Sequence, residues 1–331
     1  MESFTHYELC TEDLEWNESY YFVFYNKEHK LGGMTRLGFK PNKQEGMTFL
    51  FLFMPDGSAA GYNLVKKIKN YTNTLQIGGM THDCQRSPYC NYRFQGNLIC
   101  VDDPEDLSKV RQNPRLIKSN LKVKFDINFQ PINDVYEYSE NMTPESLDVG
   151  KKAGDKHWEQ IGILSGNIQI NNIKYPLENT IGQRDHTYGV RDWTGVGNWL
   201  YYVVWFNKNL AINPAVIVTE DGRLSTGGFL FKDGKNIPLK NIKIIEQKFR
   251  EDDVLPVSSK LEIIDALGEK HQLKAFVGPI IPVPFSDRDG NQSILVQSIG
   301  NFELDGIKNG YGTFETLRKL NLEKHKNKTN E

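Results

Sequence analysis

Gly182-Gln183-Arg184-Asp185-His186-Thr187-Tyr188-Gly189-Val190-Arg191-Asp192-Trp193 lies just past the midpoint of this 331-residue chain, and its reading decides the fold. These twelve residues hold two arginines, two aspartates, a histidine, a tyrosine and a tryptophan. Apolar strand-like segments flank them on both sides, which places their polar groups at the edge of a packed core or inside it. Burying so much hydrogen-bonding capacity is costly unless every group is paired. The stretch is therefore either a structural clasp that locks two domains together or the lining of a site; perturbed polar clusters mark both.

Alternation constrains how it works. In an extended chain successive side chains point to opposite faces. Arg184, His186 and Tyr188 then share one face, and Asp185 and Thr187 share the other. Asp185 and His186 are thus not an acid–base pair through adjacency. The expected arrangement has the arginine–histidine–tyrosine face donating into a cavity, with Asp185 anchoring the strand from behind, to Arg191.

Outward from this stretch, strand signals dominate. Tyr20 to Phe24 is aromatic and β-branched, and Phe49 to Phe53 runs into the turn Pro55-Asp56-Gly57. Leu121, Val123, Phe125, Ile127 and Phe129 alternate strictly with polar residues, the pattern of a half-buried strand. Trp199 to Phe206 is apolar on both faces. Further turns fall at Asp221-Gly222, Asp233-Gly234 and Leu267-Gly268. Helical candidates are few: Pro104 to Val110 and Pro144 to Lys151. Glu140 to Asp155 reads as the longest irregular loop, of the kind that covers sites. The pattern predicts an all-β protein. Division near residue 180 gives an N-terminal half (1–180), a C-terminal half (181–320) and a solvated tail (321–331). Each half is long enough for a closed barrel of roughly eight strands.

The net charge of −2 and the even mix of signs exclude a nucleic-acid-binding surface. No apolar run approaches the ~20 residues of a spanning helix. The N-terminus carries no basic segment followed by an apolar stretch. A cytoplasmic protein is expected, with at most transient membrane contact; oligomeric state is not readable. Cys10, Cys84, Cys90 and Cys100 do not suggest a disulfide framework. His82-Asp83-Cys84 with Cys90 lacks an evident fourth ligand, so no metal is assigned. Nucleotide-binding and Gly-x-Ser-x-Gly hydrolase motifs are missing, and no cofactor is assigned.

The central stretch resembles the Gly-Gln-Arg-Asp-His-Ser-Trp-Gly-x-Arg-x-Trp motif of the AttH and carotenoid 1,2-hydratase-like proteins. Support comes from Glu18-Ser19-Tyr20-Tyr21-Phe22, from Leu31-Gly32-Gly33 with Arg36, and from Pro41-Asn42. His157-Trp158-Glu159-Gln160 and Gly310-Tyr311-Gly312-Thr313-Phe314-Glu315 add to it, so the likeness spans most of the chain. It implies two lipocalin-like β-barrel or sandwich domains in tandem. The family includes an enzyme that hydrates acyclic carotenoids and fungal cyclases that fold polyenes into Diels–Alder products, both with a hydrophobic pocket near the barrel interface. In the hydratase the motif His, the aromatic residue two positions on and a downstream Tyr-x-Asp are implicated, with the Asp as proton donor. His186 is kept here and Tyr188 replaces the Trp. No Tyr-x-Asp occurs between Trp199 and Glu220, where Asn213 and Ala215 fall, a departure from carotenoid hydration itself.

Hydrating or cyclising an alkene needs a strong acid beside a pocket that tolerates a cation. A carboxylic acid kept neutral by apolar surroundings can supply the proton, and aromatic faces can stabilise the cation. The expected function is a hydratase or cyclase acting on a lipophilic isoprenoid or polyene; the alternative is a non-catalytic lipocalin-like carrier. Catalytic candidates are His186, Asp185, Tyr188 and Glu159. Binding candidates are Arg184, Arg191, Trp193, Trp199, His157, Tyr311 and Glu315. Each has a bland counterpart, with Trp193 and Trp199 as packing and Glu159 as a partner for buried amides.

Overall fold

The structure is a computed structural model that describes residues 5–68, 71, 75–84 and 89–320. The tail expected at 321–331 lies outside the described residues. The fold is all-β: two lipocalin-like antiparallel barrels in tandem. In the first ring the hydrogen-bonded order is Lys156–Ile170, Thr180–Val190, Trp16–Asn26, Leu31–Lys40, Glu45–Phe53, Ala59–Lys67, Cys90–Val101 and Ile117–Pro131. Ile117–Pro131 pairs back onto Lys156–Ile170 and closes it. The second ring runs Pro256–Asp265, Lys235–Phe249, Leu224–Lys232, Leu210–Val218, Asn198–Asn207, Ile307–Lys319, Gln292–Leu304 and Lys270–Phe276. Lys270–Phe276 closes it by pairing with both Gln292–Leu304 and Pro256–Asp265.

Strand patterning explains how the rings pack. In Ile117–Pro131 burial alternates as the sequence does, because one face looks into the barrel and the other into solvent. Trp16–Asn26 and Asn198–Asn207 have no solvated face. Tyr20, Phe22 and Phe24 fill the first barrel, while Tyr21 and Val23 face the second. Leu200, Tyr202 and Val204 fill the second barrel, and Val203 and Trp205 face the first. The barrels are thus solid inside, and a further apolar core lies between them. Turn chemistry follows the sequence. Asp233-Gly234 joins adjacent strands with φ of 49° and 83°, the doubly positive geometry of a two-residue hairpin.

The chain leaves the first ring at Val190 and enters the second at Asn198. Thr180–Val190, which a division at residue 180 puts in the C-terminal half, is hydrogen-bonded on both edges within the first ring. The segment read as a loop at 140–155 contains a short α-helix, Pro144–Gly150, capped by the Thr143 side chain. Pro104–Lys109 is a 3₁₀ helix. Among the described residues no helix is long and apolar enough to cross a membrane. Cys84 and Cys90 form a disulfide, which corrects the expectation of unpaired cysteines. Only six residues separate them, and that short connection brought them together.

Candidate functional site

Thr180–Val190 lies between Trp16–Asn26 and Lys156–Ile170, with Asp185 opposite Tyr21 on one side and Glu159 on the other. Alternation splits it as expected, but the two faces exchange roles. Arg184 and His186 point into the filled first barrel, and Tyr188 lies at that barrel's end beside His6. Arg184 donates to Gln160 Oε1 at 3.0 and 2.6 Å and to Cys90 Sγ, over the Phe129 and Trp158 rings. His186 Nε2 is 2.9 Å from Glu18 Oε1 and its ring stacks on Tyr20. Asp185 is not the rear anchor, for no ion pair joins it to Arg191. Its face, with His157 and Arg191, borders a cavity.

That cavity measures about 310 Å³ and lies between the barrels. The first barrel contributes Ser19, Tyr21, Arg36, Phe49, His157 and Asp185. The second contributes Trp199, Tyr201, Ala215, Ile217, Gln297 and Glu315. Arg191 and Trp193 enter from the connection between them. The 140–155 segment forms the cover with Met142, Leu147, Gly150, Lys151, Ala153, Gly154 and Asp155. It is tied down where the Asp155 N–H donates to the Tyr188 carbonyl at 2.9 Å. The strand residue there, Gly189, has φ of 120° and no room for a Cβ against Asp155.

A polar network backs the Asp185 side. His157 Nδ1 is 2.7 Å from Thr187 Oγ1, and its Nε2 is 2.9 Å from Glu159 Oε1. The Tyr201 hydroxyl donates to the same Glu159 oxygen, and Gln183 Nε2 donates to the other at 2.7 Å. Glu315 accepts from Trp199 Nε1 at 3.0 Å and from Gln297 Nε2 at 2.5 Å. Asp185 accepts no hydrogen bond from any described residue. Burial pushes three carboxyls up: Glu159 to about 8, against the hydrogen bonds from Tyr201 and Gln183; Glu315 to about 7; and Asp185 to about 7, where the nearby Glu159 adds to burial and His157, Arg191 and Arg36 oppose it. Burial also lowers His157, which favours its neutral ring. The arrangement can hold carboxylic acids in the neutral form near neutral pH, which is the state needed to give up a proton to a poor base.

Of the residues singled out in the sequence, Asp185, His157, Arg191, Trp193, Trp199 and Glu315 come together on this cavity, and Glu159 sits directly behind it. Arg184, His186 and Tyr188 do not reach it. Tyr311 lies elsewhere in the interface, against Trp205 and beneath the Lys27 ammonium. Sequence reasoning missed Arg36, Tyr21, Tyr201 and Gln297 as site residues. Alternation could have found Tyr21 and Tyr201, each the out-of-barrel position of an aromatic strand; Arg36 gave no local signal beyond its place in the resemblance. Two trios bring one ligand atom each within 4.8 Å of one another: His157, Glu159 and Asp185, and His6, Glu18 and His186. Both histidines of the second trio are hydrogen-bonded to Glu18; in the first, His157 is bonded to Glu159, and Asp185 lies close without a hydrogen bond to either.

The profile of a family described as a domain of unknown function, DUF7064, matches residues 3–320. The chain belongs to the DUF7064 family. No curated protein matches its sequence. Its fold is similar to that of an AttH-like protein from Nitrosomonas europaea, with TM-score 0.58, 12% identity and 96% of each chain covered. It is also similar to CghA bound to Sch210972, with TM-score 0.54 and 10% identity over 92% of this chain and 88% of the other. A kievitone hydratase from Nectria haematococca aligns with TM-score 0.53 and 10% identity, over 91% and 88% of the two chains. The tandem-barrel resemblance read from the sequence therefore holds at the level of fold.

Proposed function

We propose that this DUF7064 protein is an acid-catalysed enzyme of the hydratase or cyclase type, acting on a lipophilic isoprenoid or polyene in the inter-barrel cavity. One observation carries the reading: the Asp185 carboxyl, unbonded and pushed toward neutrality, faces an aromatic cavity of about 310 Å³. Asp185 gives its proton to an alkene carbon of the bound substrate. The resulting cation lies by Trp199 and Tyr201, whose ring faces favour positive charge. In hydration a solvent water adds through oxygen and returns a proton to the Asp185 carboxylate; in cyclisation an internal alkene is the nucleophile and a carbon-bound proton returns. Glu159, itself held by His157 and Tyr201, keeps the Asp185 proton in place, since a second carboxyl nearby resists ionisation of the first. His186 and Tyr188 have no chemical part in this scheme.

The kievitone hydratase fold neighbour supports a hydratase scaffold, while substrate identity is left to experiment. A cytoplasmic setting belongs to the same reading and rests on the sequence alone. The Cys84–Cys90 disulfide is set against it, because such bonds persist mainly in oxidising compartments.

The test is incubation of the purified protein with a panel of acyclic and prenylated alkenes in oxygen-labelled water, read by mass spectrometry. A product that gains one labelled water, or a cyclic isomer, formed by wild type and not by Asp185→Asn, is the expected result. Ligands bound but always recovered unchanged would replace the enzyme with a carrier.

A further inference from the structure

The acid side of the cavity accounts for only part of its polar lining. Arg36 projects from Leu31–Lys40 beside Tyr21 and is only 6% exposed. Its guanidinium runs over Gly38, where a Cβ would collide with it. One Nη donates to Asn17 Oδ1 at 3.0 Å and the other reaches only the Met47 sulfur, at 3.7 Å. Arg191 meets Ser19 Oγ at 3.3 Å. Both guanidiniums lie against one ring, Trp193, at 5.9 Å for Arg36 and 4.6 Å for Arg191. Neither has a carboxylate within ion-pair distance among the described residues; Asp185 and Glu315 act on Arg191 only at longer range.

A buried guanidinium beside a half-buried one, neither in an ion pair, is costly, and five N–H donors on each leave most of their capacity unused. Burial and the Arg191 charge lower the Arg36 pKa to about 9, the mark of a cation short of compensation. A planar fork of this kind matches an oxyanion.

We propose that Arg36 and Arg191, flanking Trp193, form an anion subsite that takes the carboxylate head group of an amphipathic ligand whose apolar body fills the cavity toward Trp199. This rests on the cavity being the ligand site, as proposed above. A single negative charge fits better than a phosphate monoester. The latter brings about −1.5 to −2, and it would lie within reach of Asp185 and Glu315. The subsite gives the cavity a polar end and fixes which way round a lipophilic acid enters.

A matched pair of fluorescent probes tests it at neutral pH: anilinonaphthalene sulfonate and N-phenyl-naphthylamine, which share an aromatic body and differ by the sulfonate. Wild type is expected to bind the sulfonate about tenfold or more tightly than the amine. Arg36→Gln should abolish that preference, keep amine binding, and melt no lower than wild type because it removes an unpaired buried charge. Decanoate should displace the bound sulfonate better than decyl phosphate. Equal wild-type affinities, or a sulfonate affinity unchanged in Arg36→Gln, would overturn the subsite and leave the apolar cavity standing. Stronger competition by decyl phosphate would overturn the single-charge assignment. Binding of neither probe would remove the cavity reading itself and the subsite with it.

Discussion

The two faces of Thr180–Val190 carry carboxyl clusters only a strand's thickness apart, and they behave in opposite ways. On the inner face Glu18 is fully buried yet held down to about 2. Burial alone would raise it, but donors from His186, the His6 backbone at 2.8 Å and the Tyr71 hydroxyl at 2.8 Å outweigh that. On the outer face Asp185 has no such donors and rises to about 7. The difference teaches that donors outweigh burial at Glu18 but not at Glu159, which rises to about 8 although Tyr201 and Gln183 donate to it, so the balance between the two decides what a carboxyl becomes. On the proposed function the inner cluster is a clasp, and the Asp185 carboxyl, which unlike Glu159 and Glu315 accepts no hydrogen bond from any described residue, is the one available for chemistry.

The largest effect expected from breaking the outer face is kinetic. Asp185→Asn removes the transferable proton and should lower turnover about a thousandfold, with a melting temperature no lower than wild type, as read by product formation and calorimetry side by side. The reverse pattern is expected inside. Glu18→Gln or His186→Ala should destabilise the protein by about 3 kcal/mol, since each leaves a buried partner uncompensated. Probe binding in the cavity should stay intact well below the melting point. Denaturant titration of each variant checks this.

A smaller effect sharpens the contrast through pH. Asp185, Glu159 and Glu315 bind protons more tightly in the folded state than in an unfolded chain, where carboxyls titrate near ~4. Folding stability should therefore fall as pH rises from about 4 to about 8 and level off above. Glu18 has the opposite sign, contributing stability in the ordinary carboxylate range and above that is lost as pH falls through about 2. Asp185→Asn should remove its share of the alkaline loss, making the variant more stable than wild type at pH ~8 by on the order of 2 kcal/mol. Smallest is reduction of Cys84–Cys90, which contacts Arg184 on the inner face. Closure of so short a loop contributes roughly 2 kcal/mol, a small share for a chain of this size. Dithiothreitol should thus lower the melting temperature slightly and leave cavity binding unchanged.

The sequence made the strands legible, and with them the tandem all-β fold, because alternation in Ile117–Pro131 and the Asp-Gly turns depend only on local chemistry. It also separated Arg184 and His186 from Asp185 correctly. It could not say which set meets the cavity, because alternation reads a face from its solvated partner and this strand has none. Both faces are covered, one by the barrel interior and one by the second barrel. Arg36, Tyr201 and Glu315 are more than a hundred residues apart in sequence, and only the closure of two rings brings them to one wall. The Cys84–Cys90 bond was within reach of the sequence, since only six residues separate the two, but the absence of a wider disulfide framework led away from it.

The most direct test of the account is infrared titration of the carboxyl band in wild type and Asp185→Asn. A protonated carboxylic acid signal that persists at pH ~6, fades as pH approaches ~8, and loses a distinct component in Asp185→Asn is the predicted result. A wild-type spectrum with every carboxyl already ionised at pH ~6, or one that Asp185→Asn leaves unchanged, would contradict the claim that the outer face holds a neutral acid.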